Sequence, residues 1–338
     1  MSQVVLVTGG TGFVAGWCIV ELLRRGYRVR TTVRNLNKEP ALREAIGSAI
    51  EAGDRLSCYV ADLTGDAGWD AAMSGCDYVL HVASPLGLDG AQDQSAMSIP
   101  ARDGTLRVLN AAAKAGVKRV VMTSAAAVAT PPLRDGDTIS DETVWFDPTE
   151  AVDAYRQSKR LAERAAWEFI ENHSGPMTLA TILPGAVFGP VLSRDNLGSV
   201  QIIDRLLQGK MPATPRLGFE VIDVRDLADI HIRAMTSERA ANQRFLAVGD
   251  FLWMSEIAAT LRNRLGSAAS KVPRRTLPDF AFRLIAHLDP ALRAMTPRLG
   301  LKIRHTSVKA NEWLDWRARP AATTLVDCAN SLSARELA

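Results

Sequence analysis

The sequence predicts a doubly wound α/β fold, a parallel sheet wrapped by helices, with a smaller, mostly helical part attached. Three observations carry this. Through the first 185 residues, short runs of Val, Ile and Leu alternate with longer stretches of helical periodicity, the pattern of strands buried on both faces and joined by crossover helices. A glycine-rich turn follows the first such run. After Pro184 the alternation stops and the texture turns to Gly, Pro and polar residues.

The strand-like runs are 4–8, 29–33, 56–60, 78–82, 117–123 and 178–183; helical spacing of apolar residues marks 13–25, 66–74, 101–115 and 155–172. Gly26, Gly75 and Gly116 follow three of these helices, where a left-handed cap is needed. Beyond Pro184, one helix is expected at 200–208, a strand at 219–223, a helix at 225–236 and a strand at 244–248, and 252–338 reads as mostly helical. This gives a nucleotide-binding part, 1–185 plus about 219–248, and a discontinuous substrate-binding part, about 186–218 plus 249–338.

Composition bounds the function. The 338 residues are 47% hydrophobic and 23% charged, enough apolar surface to exclude disorder as the dominant state. Lys plus Arg number 40 and Asp plus Glu 37, a net charge of +3, which predicts no strong pull toward nucleic acid or an anionic membrane. Cys18, Cys58, Cys76 and Cys328 form no CxxC pair, and Cys18 sits in an apolar periodic stretch as core filler. The expected compartment is the reducing cytoplasm. Met1-Ser2-Gln3 runs directly into a strand, unlike a signal peptide, and no apolar run reaches the length of a membrane helix.

The turn Thr8-Gly9-Gly10-Thr11-Gly12-Phe13-Val14-Ala15 joins the first strand to the first helix. Gly9 makes the tight turn, Gly12 lets the backbone approach a pyrophosphate, and Ala15 stands where a small residue brings helix and strand together. The amides at the helix start, over Thr11, Phe13 and Val14, then face phosphate oxygens with the helix dipole behind them. The expected ligand is therefore a dinucleotide; the other reading is a merely structural turn. At the end of the second strand an acid would bind the ribose hydroxyls of NAD; here that position is Val33, followed by Arg34, with Lys38 close behind. A guanidinium there pairs with a 2′-phosphate, which favours NADPH/NADP+; its other reading is a solvated surface residue. Asp62 and Leu63, after the third strand, are expected beside the adenine. Val82, Ala83 and Ser84, after the fourth, are expected beneath the nicotinamide ribose.

Tyr155 and Lys159 lie four residues apart at the start of a helix, so both side chains share one face. A phenol is a poor proton donor or acceptor at neutral pH, and a neighbouring ammonium stabilises its phenolate. The same lysine can hold the cofactor ribose.

With these motifs the chain resembles the extended short-chain dehydrogenases/reductases, in the dihydroflavonol reductase and aldehyde (carbonyl) reductase branch. The matching stretches are the glycine turn, Thr32-Val33-Arg34-Asn35, His81-Val82-Ala83-Ser84-Pro85, Gly104-Thr105-Leu106, Tyr155 to Trp167, Leu183-Pro184-Gly185-Ala186-Val187-Phe188-Gly189-Pro190 and Asp223-Val224-Arg225-Asp226-Leu227-Ala228. The resemblance implies NADPH-dependent carbonyl reduction, with Tyr155 donating the proton, Lys159 tuning it, a serine orienting the carbonyl, and Pro184, Ala186 and Val187 near the cofactor. The chain departs at the serine: relatives carry two after the fifth strand and use the second, whereas here Thr123-Ser124 is followed by Ala125. Three assignments compete. Ser124 takes the role after a small shift, Thr123 or Thr130 substitutes, or the site is impaired. Ser124 is taken as the candidate.

The five histidines are dispersed and form no HExxH, so no metal is expected; GxSxG and Walker-type motifs are also missing from the sequence. Arg225 reads as a structural ion-pair residue, and Trp145 and Trp167 as packing. The substrate pocket is expected from 84–97, 126–133 and 186–199, which carry no arginine cluster; an uncharged, hydrophobic or aromatic ketone or aldehyde suits them. The expected partner is this small molecule alone, with no nucleic acid and no membrane, on a monomer or homodimer. Rival readings are a sugar-nucleotide epimerase or dehydratase, a hydroxysteroid dehydrogenase and a non-catalytic NADP-binding sensor.

Overall fold

The computed structural model describes residues 2–84, 94–132, 136–146, 154–193 and 197–334. Seven strands form one parallel sheet: β1 (Val4–Val7), β2 (Arg28–Val33), β3 (Leu56–Val60), β4 (Tyr78–His81), β5 (Arg119–Thr123), β7 (Thr178–Pro184) and β11 (Gln243–Ala247). Their order is β11-β7-β5-β4-β1-β2-β3. The direction of winding reverses between β1 and β4, and a crevice opens there beyond the strand ends. Val5, Leu6 and Val7 are wholly buried, as are Val79, Leu80, Val120 and Val121. This is why these runs show no polar alternation.

Helices cover both faces. They are α1 (Phe13–Arg24), α2 (Glu39–Gly47), α3 (Trp69–Met73), α4 (Gln94–Lys114), α5 (Ala154–Glu171) and α7 (Val224–Thr236). One core holds α1 and α7 against Val5, Leu80, Val121 and Ile182; the other holds α3, α4 and α5 against Leu6, Val79, Val120 and Leu179. Gly26, Gly75 and Gly116 end three helices at φ +83°, +73° and +73°, as their sequence positions predict. Helix α2 is not marked by the sequence pattern, because only Leu42 and Ile46 are buried in it.

The remainder is built on a small sheet of β8 (Ala186–Phe188), β10 (Gly218–Asp223) and β12 (Phe251–Trp253), in the order β12-β10-β8. The sequence assigns the strand at 219–223 to the nucleotide-binding part. As β10 it pairs instead with β8 in parallel and β12 antiparallel, because the chain leaves the large sheet at Pro184 and turns outward through Gly185. Two short pairs, β6 (Thr138–Ser140) with β14 (Ile303–His305) and β9 (Thr214–Pro215) with β13 (Thr276–Leu277), lie outside it. The helices here are α6 (Val200–Leu207), α8 (Met254–Leu265), α9 (Asp279–Ala286), α10 (Pro290–Met295), α11 (Val308–Leu314) and α12 (Ala321–Ala334). Residues of α6, α8 and α12 share a third apolar core with Phe188 and Val221. Asp223 caps α7 through the Arg225 amide, and the Arg225 guanidinium binds Asp223 and, at 2.6 Å, Asp327, the structural ion pair the sequence suggests. Cys18 is fully buried.

Candidate active site

The candidate site lies along the carboxyl ends of the parallel strands. Gly9 stands at φ +70°, and a Cβ there would meet the Ala83 Cβ at 2.9 Å. A side chain would thus face both an unfavourable backbone and a collision with the loop after β4. The Gly12 amide donates to the Gly9 carbonyl at 2.9 Å, and extended Gly12 opens α1. No side chain caps this helix and no acid occupies its first turn. Thr11, Gly12, Phe13 and Val14 are partly accessible, whereas Ala15 is buried against the sheet. A helix start with free amides and no competing acid fits a dinucleotide pyrophosphate.

Buried hydroxyls hold this turn in place. Thr32 Oγ1 accepts from the Gly9 amide at 2.9 Å. Thr8 Oγ1 accepts from the amides of Val82 and Ala83 at 3.1 and 3.0 Å. The Thr105 hydroxyl donates to the Ala101 carbonyl at 2.9 Å, so its oxygen receives the His81 Nε2 proton at 3.3 Å. His81 Nδ1 is then left to accept from the Thr8 hydroxyl at 3.1 Å. Burial, followed by the charge of Lys159, lowers the His81 pKa to about 3. A neutral imidazole thus sets the path of the loop Val82–Ala83–Ser84, all three partly accessible at the strand ends.

The end of the crevice beside β2 and β3 is open. Arg34, directly after β2, and Lys38, in the 3₁₀ turn Leu36–Lys38, are exposed; Lys38 lines a shallow depression shared with Thr11, Gly12 and Phe13. Asp62 is half-buried, and its Oδ1 accepts from the Thr64 amide and hydroxyl at 2.8 and 2.7 Å. These bonds, with a smaller contribution from the Arg34 charge, hold its carboxyl below the usual range. Leu63 is half-buried beside it.

At the other end, α5 brings Tyr155 and Lys159 to one face. Tyr155 is 38% exposed, while Lys159 is buried and donates to the Thr123 carbonyl at 3.3 Å. Burial pushes the Lys159 pKa down to about 8, against the opposing charge of Glu163. Pro184 is buried at the end of β7, and Ala186 and Val187 are partly accessible just beyond it. Of the substrate-pocket segments, 85–93, 133 and 194–196 lie outside the described residues.

Ser124 is placed differently from the sequence expectation. It is 1% exposed, and its hydroxyl donates into the protein, to Glu163 Oε2 at 2.6 Å. The other hydroxyls weighed for its role are also engaged. Thr123 donates to His231 Nε2 at 2.7 Å, and Thr130 is bound to His305 Nε2 at 3.0 Å. Ala125, at the aligned position, is buried and extended at φ −154° and ψ 144°. Thr8, Thr32, His81 and Glu163 were missed as site residues. Single hydroxyls inside apolar runs read as strand filler, and an acid four residues after Lys159 reads as a solvated helix face.

A strand-turn-helix nucleotide cradle, with an accessible tyrosine and a buried lysine one helical turn apart, defines an oxidoreductase of the short-chain dehydrogenase/reductase class. Residues 5–249 match the NAD dependent epimerase/dehydratase family. The chain belongs to that family, in the extended short-chain dehydrogenase/reductase group and its reductase branch. It is 36% identical over 322 residues to a cinnamoyl-CoA reductase of Medicago truncatula, covering 93% of this chain and 95% of that one. Cinnamoyl-CoA reductase 1 of Petunia hybrida is 38% identical over 266 residues, 77% of each chain. The crystal structure of yeast methylglyoxal/isovaleraldehyde reductase complexed with NADPH superposes with a TM-score of 0.82 at 25% identity, over 99% of both chains. Among the described residues no helix is long and apolar enough to cross a membrane.

Proposed function

We propose that the protein is an NADPH-dependent carbonyl reductase acting on an uncharged, hydrophobic or aromatic ketone or aldehyde, with Tyr155 as proton donor. The observation that carries this is the pairing of an accessible phenol with a buried lysine one helical turn behind it. The reductase names of the relatives, and the NADPH in the yeast structure, support the same reading.

NADPH, when bound, supplies the hydride. Gly9, Thr11, Gly12, Phe13 and Val14 would receive the pyrophosphate. Arg34, with Lys38, would pair with the 2′-phosphate, Asp62 and Leu63 would flank the adenine, and Val82 to Ser84 with Pro184, Ala186 and Val187 would line the nicotinamide end. Tyr155 gives its phenolic proton to the carbonyl oxygen as negative charge develops there. The Lys159 ammonium stabilises the phenolate left behind, which makes the phenol a stronger acid. Lys159 acts at low cost because its neighbours already fix its place, so little reorganisation accompanies proton transfer.

One observation favours a second reading. The missing hydroxyl at Ala125 suits a protein that binds NADP without turning over. Loss of NADPH absorbance with a panel of aryl aldehydes and ketones supports the reductase. Tight NADPH binding with no consumption on any carbonyl, and none after Ala125→Ser, overturns it.

A further inference from the structure

We infer that Glu163 is a positioning residue for the Tyr155–Lys159 pair: its carboxylate, one helical turn behind Lys159 and fixed by Ser124, Thr181 and Arg244, holds the lysine as a charged ammonium against the end of β5. The inference rests on the reading of Tyr155 and Lys159 given above.

Glu163 has no solvent-exposed surface. Its Oε2 accepts from the Ser124 hydroxyl at 2.6 Å. Its Oε1 accepts from the Thr181 hydroxyl at 2.8 Å, from Arg244 Nε at 2.9 Å and from Trp167 Nε1 at 3.4 Å. One guanidinium is enough to balance a buried carboxylate. Yet Lys159 also stands one turn before Glu163 on the buried face of α5, outside direct ion-pair contact but within the field of its carboxylate. The second cation needs it. A buried lysine without a counter-charge sheds its proton, and burial already draws Lys159 down to about 8, with Glu163 alone opposing that fall.

The groups facing Lys159 are few among the described residues. Tyr155 and Glu163 lie one turn to either side of it on its own helix, and the Thr123 carbonyl comes from β5. From β4 comes His81, kept neutral at ordinary pH. Arg244, on β11, acts through Glu163. Two successive residues of the sheet edge are therefore gripped by two successive turns of α5, Thr123 by Lys159 and Ser124 by Glu163. These grips set the rotation of the helix and so the direction of Tyr155, one turn earlier. They also occupy Ser124: a hydroxyl has one proton to donate, and this one goes to Glu163.

The test is the pH dependence of kcat for aryl aldehyde reduction, with the pH dependence of NADPH affinity measured in parallel by fluorescence. Glu163→Gln should move the alkaline limb, which follows Lys159, to lower pH by about one unit, the scale of losing one nearby opposite charge. Glu163→Asp, which keeps the charge, should restore most of it. Should Glu163→Gln fail to fold because Arg244 is left unpaired, the double variant Glu163→Gln with Arg244→Gln should move the limb in the same direction by less, because the repulsive Arg244 charge leaves with the carboxylate. A folded Gln variant whose limb coincides with wild type overturns the inference, as does an Asp variant displaced as far as the Gln variant. If the wild type consumes no NADPH, the reductase reading falls instead, and the affinity profiles still decide the role of Glu163: a displacement upholds it and coincident profiles reject it.

Discussion

The two ends of the crevice are built on opposite plans. At the end near Tyr155 the buried polar groups are tied to fixed partners: Lys159 to the Thr123 carbonyl, Ser124 to Glu163, and Thr8 and His81 to each other. At the other end Arg34 and Lys38 stand exposed at the close of β2 and the turn beyond it. On the proposed function, the contrast follows from what each end would do. Proton and hydride movement gains from groups that need not reorganise, and burial makes any unpartnered group there costly. Grasping a phosphate requires only charge and reach, which solvated side chains supply. Substitutions at the inner end should therefore change rate, and those at the outer end cofactor affinity.

The sharpest way to break that division is Tyr155→Phe. Removing the phenolic hydroxyl should lower kcat by about 10²- to 10⁴-fold, the usual worth of a positioned proton donor, while NADPH affinity by fluorescence titration stays largely unchanged. Carbonyl reduction at an undiminished rate would remove Tyr155 from the mechanism. Next in size is Ala125→Ser. The extended backbone at position 125 accepts a serine without strain, and one added donor to the developing oxyanion should raise kcat about tenfold or more. An unchanged kcat would mean that another group already holds the carbonyl oxygen.

The outer end should answer differently. Arg34→Ala should raise the KM for NADPH about tenfold, the scale of one charge-assisted hydrogen bond, with kcat nearly constant and the KM for NADH unmoved. If both cofactors weaken together, Arg34 does not contact the 2′-phosphate.

Most of the large sheet and the nucleotide cradle were legible in the sequence because both are local. A run such as 4–8 announces a strand buried on two faces, and Gly9 and Gly12 announce the turn after it. The placement of Tyr155 and Lys159 one turn apart on one helix was legible for the same reason. What escaped depends on contacts between distant segments. The partner of Ser124 is 39 residues away, and that of Arg244 81 residues away; no spacing rule reaches so far. The strand at 219–223 was legible as a strand but not in its pairing, since three-residue partners such as 186–188 and 251–253 are too short to leave a periodic signal.

The smallest effect expected concerns stability, and it separates the fixed inner end from its surroundings by pH. His81 and His231 are both buried, with pKa values lowered to about 3 and about 4, chiefly by desolvation. His231 Nδ1 donates to the Leu227 carbonyl at 2.7 Å and Nε2 accepts from Thr123 at 2.7 Å, so a second ring proton would meet a hydroxyl already donating toward it. The unfolded chain binds these two protons near pH 6.5 and the folded one does not, so stability is full above that pH and is lost as pH falls toward the folded values. Between pH 7 and pH 6 each ring should cost roughly 1 kcal/mol or less, a small fall in Tm. His231→Gln removes one of the two titrations. Its Tm, lower at the outset, should decline about half as steeply over the same interval. Equal slopes for variant and wild type would mean that His231 is not held neutral in the folded protein.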